Sequence, residues 1–164
     1  MVSDELMLKV EDVLHAGMAE HETIQELCAL LKHEVAHYDW VGIYVADTAA
    51  RTLHLGPYSG APTNHTRIPF GQGVCGQTAE RGETMVVQDV SQEQNYLSCS
   101  LHVQSEIVVP VFHHNRVVGQ IDIDSHQHSP FTQHDRIWLE KLATRIAPII
   151  ARLQEAAANA AETA

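Results

Sequence analysis

Two cysteines and three acids carry the chemistry this sequence can offer. Cys75 sits in the run Gly71-Gln72-Gly73-Val74-Cys75-Gly76, and Cys99 lies in the polar stretch from Ser91 to Ser100. Glu106 opens the apolar run Glu106-Ile107-Val108-Val109-Pro110-Val111-Phe112, and Asp122 and Asp124 interrupt Ile121-Asp122-Ile123-Asp124-Ser125. Thiolates are nucleophiles and two-electron reductants. Carboxylates two residues apart on a strand share a face at roughly 6.5–7 Å, close enough for one small cationic ligand to touch both. The set points to thiol chemistry on a small polar molecule.

The three thiols are not equivalent. A helix over Val74 to Arg81, closed by Gly82 just past its end, puts Cys75 in the first turn. Free N–H groups and partial positive charge there are expected to lower a thiol pKa, making Cys75 more reactive than Cys28. The alternative for Cys75 is a small residue chosen for fit between glycines. Cys28 falls on the apolar stripe Ile24, Leu27, Leu30, Leu31 and reads as packing. Cys99, in a polar loop, has no packing reason to be a cysteine. An interior run of Val, Gly and Ile around Asp122 and Asp124 favours a site over a solvated strand edge.

These residues need a scaffold. Helical periodicity from Asp4 to about His37 predicts two helices joined near Met18 to Thr23. Trp40 to Val45 and Arg51 to Leu55 read as strands of a hairpin turning at Asp47-Thr48. Trp40, Gly42 and Tyr44 share one strand face, and Val41, Ile43 and Val45 the other. The aliphatic set suits a core under helices. The aromatic set suits either the floor of a pocket or ordinary packing. Gly56 to Gly73 reads as a long loop, Thr84 to Gln88 and Glu106 to Phe112 as strands, and Val117 to Ile123 as the last strand after a turn at His113 to Arg116. Thr132 caps a long amphipathic helix that frays over the Ala-rich stretch 156–164. The order gives an α+β fold, an antiparallel sheet with its N- and C-terminal helices gathered on one face. Its single domain spans residues 1–155. The terminal helices carry more apolar surface than one sheet face needs, which leaves room for a homodimer.

Composition narrows the function. The chain has 164 residues, 10 Lys+Arg against 21 Asp+Glu, and a formal net charge of −11. That charge repels phosphate backbones and anionic lipid, so neither nucleic acid nor a membrane surface is an expected partner. No basic and apolar leader and no run of the ~18 apolar residues of a membrane span is present, so the protein reads as cytoplasmic. Three cysteines make no secreted disulfide framework, and any pairing would be catalytic or redox-sensing. The histidine groups His113-His114 and His126-Gln127-His128 fall in turns without zinc spacing, so no metal is expected. No phosphate-binding glycine loop of the known patterns occurs.

Several runs in order resemble one family. Trp40-Val41-Gly42-Ile43-Tyr44, Leu55-Gly56-Pro57-Tyr58-Ser59-Gly60, Arg67 through Gly76, Ser105-Glu106-Ile107-Val108-Val109-Pro110 and Ile121-Asp122-Ile123-Asp124-Ser125 resemble the free methionine-(R)-sulfoxide reductases, from about Tyr38 to the region of Glu140. The resemblance implies a GAF fold with a ligand pocket on the sheet face opposite the helices. It also implies reduction of free L-methionine-(R)-sulfoxide by a cysteine, with no bound cofactor and electrons from thioredoxin and NADPH. By motif, Cys99 matches the nucleophile and Cys75 a resolving cysteine. Glu106, Asp122 and Asp124 match the acids that hold the substrate and its oxygen, and Trp40 and Tyr44 the pocket wall. Many members carry a further cysteine where this chain has His65, which leaves Cys75 as the motif-matched resolver. Crowded carboxylates cannot all ionise easily, so at least one of the three is expected to hold a proton near neutrality. Main-chain N–H groups near Cys75 are expected to receive the substrate carboxylate. The competing class is a GAF module that binds a small ligand without catalysis.

Overall fold

The computed structural model describes residues 3–97 and 101–163, so Cys99 lies outside the described residues. Two helices come first, α1 (Asp4–Leu14) and α2 (Glu20–Glu34), followed by strands β1 (Trp40–Asp47), β2 (Thr52–Ser59) and β3 (Arg67–Pro69). Helix α3 (Gly73–Arg81) leads to β4 (Met85–Val87), a 3-10 turn at Val90–Gln92, β5 (Ser105–His113), β6 (Arg116–Ser125) and α4 (Gln133–Thr163). Local chemistry explains most boundaries. The Ser3 side chain accepts from the Leu6 N–H to cap α1, with Asp4 and Glu5 favourably placed in the first turn. Gly82, at φ 66°, ends α3 in the left-handed region, as its position predicts. Thr132 and Asp135 cap α4 reciprocally: the Thr132 N–H donates to Asp135 Oδ2 at 2.8 Å and the Asp135 N–H to Thr132 Oγ1 at 3.4 Å. His114 and Asn115 take φ of 51° and 63°, which makes the β5–β6 connection a two-residue hairpin of the kind that follows the sheet's twist.

The six strands form one antiparallel sheet in the order β3-β2-β1-β6-β5-β4. Leu6, Val10, Leu27, Leu31, Leu139, Ile146 and Ile150 from α1, α2 and α4 cover one face, packing on Val41, Ile43, Ile107, Val109, Ile121 and Ile123. Helix α3 covers part of the other face, where Val74, Cys75 and Ala79 join Trp40, Tyr44, Leu53 and Val108. The alternation read in β1 therefore holds. Cys28 is buried in the helical layer, where desolvation pushes its thiol up to about 12. Among the described residues no helix is long and apolar enough to cross a membrane.

Two expectations fail for physical reasons. The stretch read as a loop from Gly56 holds the end of β2 and all of β3. Opposite β1, Gly42 pairs with Tyr58 and Tyr44 with Leu55, so Gly56 and Pro57 together face Ile43 as a bulge. A bulge tolerates a proline that cannot donate to the ladder, and it breaks the period-2 pattern by which a strand is recognised. The Ala-rich stretch expected to fray continues α4 as exposed helix to Thr163. Alanine has the highest helix propensity, so a helix already nucleated by packing extends without further contacts.

Gly119 shows how closely the layers meet. A Cβ there would press on the Tyr44 carbonyl oxygen and lie 2.9 Å from Ile150 Cγ2 on α4. Gly119→Ala is expected to lower stability by about 1–3 kcal/mol, the usual range for overpacking, read as a fall in the urea midpoint at unchanged slope.

Candidate functional site

The register of the central strands assembles the acids. Glu106 on β5 pairs with Asp124 on β6, which pairs in turn with Trp40 on β1. One step along, Val108 pairs with Asp122 and Asp122 with Gly42. All these side chains project away from α1, α2 and α4, and α3 lies over them. A Cβ at Gly82 would stand 3.3 Å from Phe112 Cζ, so α3 runs from the Glu106 level toward the hairpin end of β5. Its first turn thereby brings the Cys75 Sγ–H to within 3.8 Å of Glu106 Oε2, to which it donates. One ligand atom each from Cys75, Glu106 and Asp122 lies within 4.8 Å of the others. Cys75 is 5% exposed, Glu106 5%, Asp122 2% and Asp124 3%.

Burial on this scale sets the proton affinities. Desolvation raises the Asp122 carboxyl against the opposing hydrogen bonds of Glu106 and Cys75, and it raises Asp124 further, with the Asp122 charge adding to it. Both shifts run in the direction that favours a protonated acid, more strongly at Asp124 than at Asp122. The expectation for Cys75 is reversed. Burial and then the charges of Asp122, Glu106 and Asp124 push its thiol well above the ordinary range. The positive end of a nine-residue helix is worth at most ~1–2 kcal/mol, less than a buried site with three acids withholds from a thiolate. Cys75 is thus a protonated thiol at rest.

Trp40 is fixed by its neighbours. Its indole stacks on Tyr58 at 5.4 Å between centroids, its Nε1–H donates to the Ala61 carbonyl at 3.0 Å, and it lies over Gly42, where any Cβ would collide with the ring. Trp40 and Asp124 line a cavity of about 500 Å³ together with Ser59, Thr63, Val103 and His126. Tyr44 is 1% exposed and its hydroxyl donates to the His65 carbonyl at 2.7 Å, which ties the β2–β3 connection to the sheet. His65 lies near enough to Asp122 that its charge favours the ionised carboxylate. The N-terminus of α3 is partly engaged: the Gly73 N–H donates to Asn95 Oδ1 at 2.8 Å and the Gly76 N–H to the Gln72 carbonyl at 2.9 Å. The Gly73 N–H is therefore engaged by Asn95.

The sequence reading passes over Gln120 and Thr78. Gln120 shares a strand face with Asp122 and Asp124, Thr78 lies one turn beyond Cys75 on α3, and both are 0% exposed. The Gln120 amide, Thr78 Oγ1 and Asp122 Oδ1 have no hydrogen-bond partner among the described residues. A polar row at every second position of β6 was visible in the sequence as Gln120, Asp122 and Asp124.

Two outcomes follow from the electrostatics. An acid whose folded pKa is raised binds its proton more tightly when folded, so its contribution is complete below the unfolded value of about 3.9 and is lost as pH rises through the folded one. Asp124→Asn is accordingly expected to be more stable than the parent at pH 8, with the difference shrinking or reversing at pH 4, as read by urea unfolding at both. In the folded protein Cys75 is expected to resist iodoacetamide at pH 8, at least tenfold more slowly than a free thiol of pKa about 8.5, as followed by mass spectrometry of its peptide.

A GAF domain profile matches residues 19–150. The free methionine-R-sulfoxide reductase of Escherichia coli is 33% identical over 129 residues, covering 79% of this chain and 76% of that protein. The crystal structure of the Neisseria meningitidis free methionine-R-sulfoxide reductase, solved in complex with its substrate, superposes with a TM-score of 0.79 at 35% identity, covering 98% of this chain and 96% of that one. The type II enzyme of Thermoplasma acidophilum superposes with a TM-score of 0.78 at 34% identity, covering 81% of this chain and 93% of that one. With identities above 30% sustained over most of its length, and with the acids and Cys75 gathered beneath α3, the chain belongs to the GAF domain family and, within it, to the free methionine-R-sulfoxide reductases.

Proposed function

We propose that the protein reduces free L-methionine-(R)-sulfoxide to L-methionine, with Cys99 as nucleophile and Cys75 as resolving thiol. The observation that carries this reading is the buried row of Glu106, Asp122 and Asp124 beneath the Cys75 thiol, a site that pairs proton donors with a reductant. The names of the relatives agree with it. Leu97 packs against Gly73 at the start of α3, and Val103 lines the cavity beside Asp124.

In this reading the substrate ammonium lies against the ionised members of the acid row and Trp40 covers the S-methyl end. The Cys99 thiolate attacks the sulfoxide sulfur, and a protonated acid, Asp122 or Asp124, supplies the proton that lets the oxygen leave the sulfur. As the sulfur–sulfur bond breaks, its electron pair stays with the substrate sulfur, methionine departs, and the oxygen passes with its proton to Cys99 as a sulfenic acid. Glu106 then takes the proton of the Cys75 thiol, whose sulfur attacks Cys99, expelling water and forming a disulfide. A dithiol such as thioredoxin returns the two electrons and two protons. The cycle as a whole converts sulfoxide and two thiols into thioether, disulfide and water. A cavity walled by a fixed indole suits a free amino acid and excludes a peptide chain.

The raised thiol of Cys75 makes the resolving step pH-dependent and separable from the first. NADPH consumption coupled through thioredoxin is expected with the (R)-sulfoxide and not the (S)-epimer, and Cys99→Ser is expected to abolish it. Cys75→Ser is expected to give one methionine per chain in a single turnover while losing at least 100-fold in steady state. Saturable methionine sulfoxide binding with no turnover in the parent would sink the enzymatic reading and favour a ligand-sensing module. Trp40→Ala is expected to raise KM at least tenfold with a smaller change in kcat, as measured in the same assay.

A further inference from the structure

We propose that Cys75, Glu106 and Asp122 also form a binding site for one thiophilic divalent cation of the zinc class. Its occupation would exclude substrate and disulfide formation; that exclusion rests on the function proposed above, and the metal site does not. The geometry comes first. Three donors from three elements, α3, β5 and β6, bring one atom each within 4.8 Å of the others. The Cys75 Sγ to Glu106 Oε2 separation is 3.8 Å. For a tetrahedral zinc with Zn–S near 2.3 Å and Zn–O near 2.0 Å, the sulfur–oxygen edge is about 3.5 Å, so the Cys75–Glu106 edge is a few tenths of an ångström from that length, while the edges to Asp122, within 4.8 Å, close by side-chain rotation. Three protein ligands with a fourth position open is the pattern of an exchangeable rather than a closed site. Asp124 is the ladder partner of Glu106.

A second observation concerns the interior of the cluster. Asp122 is 98% buried, and its Oδ1 has no hydrogen-bond partner among the described residues. Glu106 and Cys75 hydrogen-bond the Asp122 carboxyl, and its remaining buried oxygen, without a donor, is one that a bound cation satisfies. The thiol decides which cation. Magnesium and calcium select all-oxygen shells with six or more ligands, whereas a sulfur among oxygens selects zinc or its chemical analogues. A cavity lined by Asp39, Trp40 and Asp124 lies on the side of Asp124, the ladder partner of Glu106. Once bound, the cation holds the Cys75 sulfur and neutralises the acids that would otherwise receive an ammonium group.

Cobalt(II) makes the site visible, because a cobalt–thiolate bond gives a charge-transfer band in the near ultraviolet that oxygen and nitrogen ligands do not give. The reduced full-length protein is titrated with cobalt(II), then with zinc(II). The expected result is a saturable one-equivalent band that zinc removes, unchanged in Cys28→Ser and absent in Cys75→Ser. Glu106→Gln, which keeps the thiol and the shape of the side chain, is expected to weaken cobalt binding at least tenfold, with thermal unfolding confirming that each variant folds. Binding at the imidazole pair of His113 and His114 would give no such band. No band in the parent, or an undiminished band in a folded Cys75→Ser, overturns the proposal. Free methionine sulfoxide is expected to lower cobalt affinity. A cobalt band indifferent to methionine sulfoxide upholds the metal site and counts instead against the substrate placement.

Discussion

The pairing of β5 with β6 is the constraint on which everything else depends. It sets Glu106 against Asp124 and Val108 against Asp122. Side chains alternate along a strand, so a slip by one residue would turn both aspartates into the layer of Leu139, Ile146 and Ile150 and bring Ile121 and Ile123 under α3. Neither arrangement could be tolerated. The two-residue hairpin at His114 and Asn115 fixes the pairing locally, and the helical layer enforces it from the other side.

That arrangement places an unfavourable group of charges where the chain can afford it only because of what lies beneath. Three acids and a thiol share a space from which water is largely excluded, and the proton affinities of Cys75, Asp122 and Asp124 rise together. The sheet face below them carries no functional demand and is packed with aliphatic side chains contributed by three helices. One face supplies cohesion, the other bears strain, and a single backbone joins the two. Tyr38 adds a polar tie between them: its hydroxyl donates to Asp135 Oδ1 at 2.6 Å and accepts from Trp138 Nε1 at 3.0 Å, anchoring the start of β1 to α4 just before Trp40.

What could be read from the sequence were features with a local signature. The period of β1, the glycine after α3, the cap at Thr132 and the face shared by Asp122 and Asp124 all follow from neighbours within a few positions. What escaped depends on contacts made at a distance. The thiol of Cys75 looked acidic because the helix start is local, whereas the carboxylates that hold its proton come from β5 and β6. The end of β2 was hidden by Gly56 and Pro57, whose bulge has meaning only opposite Ile43. The bond from the Gly73 N–H to Asn95 joins residues 22 positions apart and has no local signature. Gln120 gave no signal beyond the strand face it shares with the aspartates.

The outer strands of the sheet are β3 and β4, each of three residues. A sheet margin presents unpaired amides and carbonyls, and a long flat one invites another chain to add itself as a further strand. Here each margin offers little to copy, and on β3 the exposed Arg67 and Pro69 flank a single buried Ile68, with Pro69 lacking a donor. Strand-by-strand growth is thereby discouraged at both ends of the sheet. Asp122 and Asp124 lie on β6, one of the two central strands, and Glu106 on β5 is shielded from the margin by the short β4.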